Sequence, residues 1–213
     1  MINTSSLSHL VATFLSITAL AVLVVRAATY ATAIHVVSFV IFGVALILLY
    51  LASTIYHFIP HEHPRKDFFK ILDRSMIYVL IAGSYTPLAL LVLPPAWGWS
   101  IFGVIWGLAL VGIFLKIFRV RIPRWLPTFM YLLMGWLIVV AFVPLRTLIP
   151  ATGKFWLATG GVLYTIGTLF FALSSHKNYQ PKHRWFTFHD AFHVLAMGGS
   201  ISHFWFMFHF VLP

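Results

Sequence analysis

The sequence contains no cysteine, only 4 Asp and Glu residues, and only 8% charged residues in a chain of 213. The absence of cysteine excludes a disulfide-stapled secreted scaffold, a cysteine-ligated metal and a cysteine nucleophile. A soluble domain has about 25% charged residues, so this chain cannot cover a water-facing surface. With 61% hydrophobic and 17% aromatic residues, the composition predicts a polytopic membrane protein.

Continuous apolar runs follow one another along the chain, separated by Pro, Gly or basic clusters. The runs lie at approximately 8–26, 33–57, 72–93, 98–118, 126–145, 154–174 and 186–211. Because they do not alternate with period two, an all-α bundle of seven transmembrane helices is favoured over a β-barrel. Seven helices of roughly 20 residues leave only short loops. We therefore predict a single integral membrane domain over residues 1–213.

The excess of basic over acidic residues, 14 against 4, predicts an orientation rather than a nucleic-acid partner. Lysine and arginine concentrate in three connections on one side of the serpentine. These are Arg65, Lys66, Lys70 and Arg74; Lys116, Arg119, Arg121 and Arg124; and Lys177, Lys182 and Arg184. By the positive-inside rule this side is cytoplasmic. We therefore predict a multi-pass protein of the cell (plasma or inner) membrane with its N-terminus on the cytoplasmic side.

Ionisable residues within the spans suggest a site, because burying them in a membrane is costly. His57 ends the second span, Asp73 begins the third, and His189 and His193 open the seventh, so all four return to the cytoplasmic side. His189 and His193 are four residues apart and share one helix face. With His57 they would give a three-histidine metal site with an open position for water. Nitrogen ligands without thiolates favour zinc, with iron, nickel and copper as alternatives.

Two further polar residues are candidates for catalysis at this site. Asp73 would orient or deprotonate the water, and Ser53, one turn before His57, would hydrogen-bond the water, a substrate carbonyl or an oxyanion. Each also has a structural interpretation: Ser53 can bond to a backbone carbonyl one turn earlier, and Asp73 can pair with Arg74 or Lys70. Polar groups from three helices at one depth favour a site over these separate explanations.

The other histidines are not predicted as ligands. His203 follows His193 by ten residues, about 15 Å deeper, and is interpreted as a packing or cavity-lining residue. His9 and His35 lie at helix starts, and the sequence assigns them no role.

Glycines in the fourth span have the GxxxG spacing that allows close helix packing. They are Gly103 and Gly107. We expect them to pack within the molecule; a homo-oligomer is possible but has no support in the sequence.

These motifs resemble the hemolysin III family. The similarity rests on the SxxxH run Ser53–His57, on Leu72-Asp73-Arg74, and on the HxxxH run His189–His193 followed by His203. The stretches LILLYLASTIYHFIPH, IYVLIAGSYTP and FHDAFHVLAMGGSISHF extend the match, so that it covers nearly the whole chain. The family belongs with the progestin and adipoQ receptors and, more distantly, the alkaline ceramidases.

The resemblance implies a seven-helix bundle with a cytoplasmic N-terminus and a zinc ion near the cytoplasmic leaflet. By that similarity the ligands are His57, His189 and His193, with Ser53 and Asp73 around the metal-bound water. The chain departs from the family pattern in two places. It keeps Ser8-His9 but lacks the acidic residues that often precede them, and Arg74 stands where the family often has histidine.

Three functions remain open from the sequence. The first is a zinc-dependent hydrolase that acts on a lipid amide or ester, such as a ceramide-like amide, at the inner leaflet; zinc lowers the pKa of bound water to about 7. The second is a non-catalytic sensor, lipid-homeostasis factor or receptor-like module. The third is a cytolysin, as the family name suggests, or a proton relay, although the apolar exterior offers no soluble form.

Overall fold

The computed structural model describes residues 4–60, 62–174 and 187–212, with the side chains of Thr4 and Ser5 left out. Every regular element within these residues is helical. The α-helices are α1 (Thr4–Tyr30), α2 (Ala33–Phe58), α3 (Lys66–Pro87), α4 (Pro95–Ile117), α5 (Leu126–Trp136), α6 (Phe142–Leu148), α7 (Ala151–Ser174) and α8 (Phe188–Phe206). A 3₁₀ turn, Leu137–Ala141, joins α5 to α6, and π turns follow α3 (Leu88–Val92) and α8 (Met207–Val211).

Seven helical segments among the described residues are long and apolar enough to cross a membrane. The all-α, seven-span prediction is therefore confirmed. The fifth span combines α5, the 3₁₀ turn and α6 into Leu126–Leu148. Which end of the bundle faces the cytoplasm remains a prediction.

The third helix begins earlier than the apolar run at 72 indicates. It starts at Lys66, so Asp73 lies about two turns inside the helix rather than at its beginning. In the first turns, charged residues interrupt the apolar residues Phe68, Phe69 and Ile71, so no continuous apolar run marks them, but tertiary contacts hold them in place. The Lys66 ammonium donates to the carbonyl oxygens of Tyr56 (2.5 Å) and Ile59 (2.6 Å) at the end of α2.

Tyr85 of α3 explains how the irregular fifth span is held. Its hydroxyl donates to the carbonyl of Gly135 (2.8 Å) and accepts from the backbone N–H of Ile138 (2.9 Å). Backbone groups inside a membrane need hydrogen-bond partners within the protein, and this one phenol bonds a carbonyl and an N–H where α5 passes into the 3₁₀ turn. Pro87, which has no N–H to donate, ends α3 and leads into the π turn.

Large side chains fill the described interior of the bundle. Those almost fully buried include Phe39, Phe42, Tyr50, Tyr78 and Phe206. In a membrane, helix association depends on such close packing and on interhelical hydrogen bonds.

The glycines of α4 do not all pack as expected. A Cβ placed on Gly112 would collide with the ring of Tyr78, so this glycine allows α4 to approach α3. Gly103 and Gly107 instead face outward, where no described atom lies within 4 Å of an added Cβ. The expectation that this pair packs within the molecule is therefore wrong, because it lies on the lipid-facing side of α4.

One end of the bundle carries the connection from α2 to α3, with Arg65 and Lys66, and the connection from α4 to α5, with Arg119 to Arg124. We call it the basic end. Helices α1, α3 and α8 begin at the basic end and α2 ends there, because successive spans alternate in direction. Polar residues near these four helix ends are thereby brought together.

Candidate functional site

A local motif fixes the first turn of α8. The Thr187 side chain accepts a hydrogen bond from the Asp190 backbone N–H (3.2 Å), and the Asp190 carboxylate accepts one from the Thr187 N–H (2.8 Å). This capping box satisfies two otherwise free backbone donors. It also directs Asp190 back to the helix terminus, between His189 and His193 in sequence but off their shared face.

The three histidines singled out from the sequence lie together at the basic end. Ring centroids are 4.3 Å apart for His189 and His193, 5.2 Å for His57 and His193, and 5.4 Å for His57 and His189. His193 is buried, while His57 and His189 are half-buried. Residues far apart in the chain thus form one cluster where α2 ends and α8 begins.

A fourth histidine, His9 of α1, belongs to the same cluster and has no predicted role from the sequence. Its ring lies 4.0 Å from that of His193, in a T-shaped arrangement, and stacks at 5.9 Å on that of His57. His9 is 2% exposed. The sequence could have indicated this position, because His9 lies at the start of the first span. Alternating helix direction puts that start at the same end of the bundle as His57 and His193.

Three of the four histidines bring ligand atoms close enough together to hold a metal ion. One ring nitrogen each of His9, His57 and His193 lie within 4.8 Å of one another. Nitrogens bound to one tetrahedral zinc ion at about 2.0–2.1 Å are roughly 3.3 Å apart. Side-chain shifts of about an ångström would therefore suffice. His189, which the sequence predicts as a ligand, is not part of this group, although its ring contacts the rings of His57 and His193.

Asp73 and Ser53 form a second polar pair near the same end. The Asp73 carboxyl lies beside the Ser53 hydroxyl, and the cations of Arg74 and Lys66 are near enough to interact with it. The Ser53 oxygen is buried and has no direct hydrogen bond among the described residues, so the alternative interpretation, in which Ser53 bonds to the backbone of its own helix, is not supported. Ser53 is 2% exposed and lies one turn before His57. The Asp73–Ser53 pair is thus linked to the cluster through α2, on which Ser53 precedes His57 by one turn.

Hydroxyl groups tie α8 to its neighbours one to two turns beyond His193. The Ser200 hydroxyl lies 2.6 Å from the Tyr50 hydroxyl of α2 and 2.8 Å from the Tyr164 hydroxyl of α7. The Tyr50 hydroxyl also lies 3.4 Å from the carbonyl oxygen of Ala196. These contacts fix the depth and rotation of α8 and so the positions of its two histidines.

A cavity of about 330 Å³ lies between α3, the fifth span, α7 and α8, and none of the four clustered histidines, Ser53 or Asp73 lines it. Ile77, one turn beyond Asp73, and Phe192, next to His193, line it near the basic end. Arg146 and Lys154 line the far end, and lipid-facing Val139 lies in its wall. Its volume is within the range of small-molecule sites, about 300–1,000 Å³, and its wall is mainly apolar.

The remaining candidates lie outside the cluster. His203 lines the cavity, packs against Gly160 and contacts the ring of Tyr164 at 5.4 Å, as expected for a cavity-lining residue. His35 lies at the opposite end of α2, where its Nδ1 is 2.8 Å from the Thr32 hydroxyl. The structure therefore gives His35 a local role at the start of α2.

Comparison with known proteins agrees with the fold and the motifs. A family model described as "Haemolysin-III related" matches residues 3–204. The chain is 42% identical over 200 residues to the "Hemolysin-3 homolog" of Bacillus subtilis (strain 168), covering 94% of this chain and 89% of that protein. It is 40% identical over 209 residues to "Hemolysin-3" of Bacillus cereus, covering 98% and 91% respectively. The seven-span chain with its histidine cluster belongs to the haemolysin III family.

Proposed function

We propose that the histidine cluster is a zinc centre and that the protein hydrolyses a lipid amide or ester at the cytoplasmic leaflet. The observation that carries this proposal is the convergence of His57, His189 and His193, whose ring centroids lie 4.3–5.4 Å apart. Imidazole is a favoured ligand of zinc, and three histidines with an exchangeable position are typical of catalytic zinc sites.

The ion would supply a Lewis acid that polarises the substrate carbonyl and makes a water molecule acidic near neutral pH. Asp73 accepts the proton of the water that attacks the carbonyl carbon. Ser53 donates its hydroxyl hydrogen to the oxyanion that forms, which is consistent with the lack of another direct bond to its oxygen among the described residues. The C–N or C–O bond then breaks, and Asp73 returns the proton to the leaving amine or alcohol.

The position and shape of the cavity support a lipid substrate. It is mainly apolar, and it is lined by Phe192, which precedes His193 in the sequence, and by Ile77, one helical turn beyond Asp73. An acyl chain in the cavity would place its carbonyl group toward the basic end. If the basic connections are cytoplasmic, as the positive-inside rule predicts, this is the inner leaflet.

Lipid hydrolysis by purified, zinc-containing protein tests this proposal. We expect wild-type protein in phospholipid nanodiscs to release fatty acid from a ceramide or another long-chain amide or ester. Asp73→Asn should retain zinc and lose about 10²-fold or more of the rate, because general-base catalysis contributes 10²–10⁴-fold. Asp67→Asn, on the first turn of α3, is the matched control and should retain activity. Zinc-loaded wild-type protein that releases no fatty acid from any such lipid would refute hydrolysis.

One observation favours a second candidate function. His9 brings a fourth histidine to the cluster, and structural zinc sites have four protein ligands and no open position. In this alternative the ion fastens α1, α2 and α8, and the protein acts as a non-catalytic membrane sensor or receptor-like module. Normal cellular function of Asp73→Asn, together with loss of folding in His57→Ala, would favour this alternative over hydrolysis.

A further inference from the structure

The imidazole of His9 is a buried polar group without a partner in the described structure. Neither ring nitrogen has a hydrogen bond there, and only 2% of the residue is exposed. A buried polar group left unsatisfied is destabilising, so native proteins rarely keep one without a ligand, water or ion. The groups next to this ring, His57 and His193, are imidazoles too, and imidazole is a common metal ligand.

We infer that His9 is a fourth imidazole ligand of the metal ion held by His57, His189 and His193, and that it occupies the exchangeable position of the site. This inference rests on the proposed metal centre but not on the proposed hydrolysis. It gives α1 a ligand in the site, whereas the sequence motifs place site residues only on α2, α3 and α8.

Three of the four rings already bring one nitrogen each within 4.8 Å of the others, and these are His9, His57 and His193. His189 lies outside this group and would have to turn toward it to bind the same ion. His57 and His193 form the centre of the cluster, since each contacts both other histidines. His9 approaches this pair from α1 and the side of Tyr50, whereas His189 approaches it from the side of Phe171. Ligands that approach from different sides can surround one tetrahedral ion, and all four donors are of the nitrogen type that suits zinc.

A second cavity lies between α1 and α8, next to the contact between His9 and His193. The cavity measures about 370 Å³ and begins one turn beyond His9, where Ala12 and Ser16 face Met197 and Ser200 across it. Helix α1 is thus separated from α8 beyond the cluster, while at the cluster His9 contacts His193 at 4.0 Å. Binding of His9 to the ion would close this end of the gap.

The consequence is a regulated site. While His9 is bound, four imidazoles fill a tetrahedral coordination sphere, and neither water nor a carbonyl oxygen can bind without displacing it or raising the coordination number to five. A displacement of the basic end of α1 from α8 would withdraw His9 and open the position. The gap between α1 and α8 gives that helix room to move.

Cobalt substitution tests the inference independently of catalysis. Co²⁺ is used in place of zinc because its visible absorption reports coordination number and ligand type. We expect wild-type protein in nanodiscs to bind Co²⁺ with a four-coordinate spectrum that azide does not alter. His9→Ala should bind Co²⁺ about tenfold or more weakly, since even residues that only support a ligand change metal affinity by 10–100-fold. Azide should then alter its spectrum, and added imidazole should restore that of the wild type.

His35→Ala is the matched control, because His35 also begins a helix but lies far from the cluster; its Co²⁺ affinity and spectrum should equal those of the wild type. If His9→Ala has the wild-type affinity, spectrum and azide response while His193→Ala loses Co²⁺, the inference is wrong and the metal centre stands. If the wild type binds neither Co²⁺ nor Zn²⁺, the metal centre and the inference both fail.

Discussion

The hydroxyl of Tyr50 on α2 lies 2.6 Å from the hydroxyl of Ser200 on α8, although the two helices are the second and seventh spans of the chain. Because Ser200 also meets Tyr164 of α7, one small side chain joins three helices directly beyond the histidine cluster. The register of α8, and with it the placement of His189 and His193, depends on this junction.

Removing Ser200 should therefore destabilise the protein more than removing one of its partners. Hydrogen bonds between membrane helices contribute about 0.6 kcal/mol on average, with a maximum of about 1.7. We expect Tyr50→Phe to lower the free energy of unfolding by about 0.5–1 kcal/mol and Ser200→Ala by about twice as much, measured by reversible unfolding in mixed micelles. Thr18→Val, which removes a lipid-facing hydroxyl bonded only to its own helix, is the control. Equal losses for Tyr50→Phe and Ser200→Ala would contradict the three-helix junction.

The two kinds of glycine on α4 should respond differently to alanine. At Gly112 an added methyl group meets the buried ring of Tyr78, whereas at Gly107 it meets no described atom within 4 Å. Overpacking a close contact costs about 1–3 kcal/mol, so Gly112→Ala should lower the unfolding free energy by that amount. Gly107→Ala should change it by less than about 0.5 kcal/mol. A large loss at Gly107 would mean that the outward face of α4 is covered, for example by a second copy of the chain, and crosslinking would then identify the partner.

His203 should prove dispensable for metal binding although it lies on the same helix as two proposed ligands. It packs against Gly160 and Tyr164 in the wall of the cavity. We expect His203→Gln to retain the wild-type zinc content, measured by elemental analysis, and to change only the rate or chain-length preference of lipid hydrolysis. Loss of zinc from His203→Gln but not from His193→Ala would overturn the assignment of the site to the basic end.

Vesicles that contain the protein should retain their contents, despite the name of the family. Large side chains, including Phe39, Phe42 and Phe206, are buried in the described interior. The two described cavities have mainly apolar walls, so neither offers a polar path to water or ions. We expect liposomes with reconstituted protein to leak an entrapped dye no faster than protein-free liposomes. Rapid leakage that depends on the protein, with or without zinc, would instead support a cytolytic function.

The sequence was sufficient to predict the elements of this fold but not all of its contacts. Long apolar runs specify spans directly, because the membrane requires about 20 apolar residues per helix. The start of α3 at Lys66 was missed because its first turns are held by the lysine contacts to Tyr56 and Ile59, which no local pattern reveals. The outward position of Gly103 and Gly107 was missed for a related reason: GxxxG spacing allows close packing but does not say which helix, if any, is the partner.

The candidate site was likewise predictable only in part. The HxxxH spacing and the helix alternation were enough to place His57, His189 and His193 together. His9 has no spacing motif to mark it, and its role depends on how α1 leans against α2 and α8, which is a property of tertiary packing. The alternation of helix direction does predict that α1 begins at the basic end, and this was the only indication in the sequence that His9 lies near the cluster.

The metal content of the purified protein tests the central claim most directly. Elemental analysis of detergent-purified wild type should find about one zinc ion per chain, as a single three- or four-histidine centre requires. His57→Ala and His193→Ala should lose most of it, while His35→Ala, at the other end of α2, should keep it. A wild type without stoichiometric metal, or a His193→Ala variant with the full amount, would contradict the account.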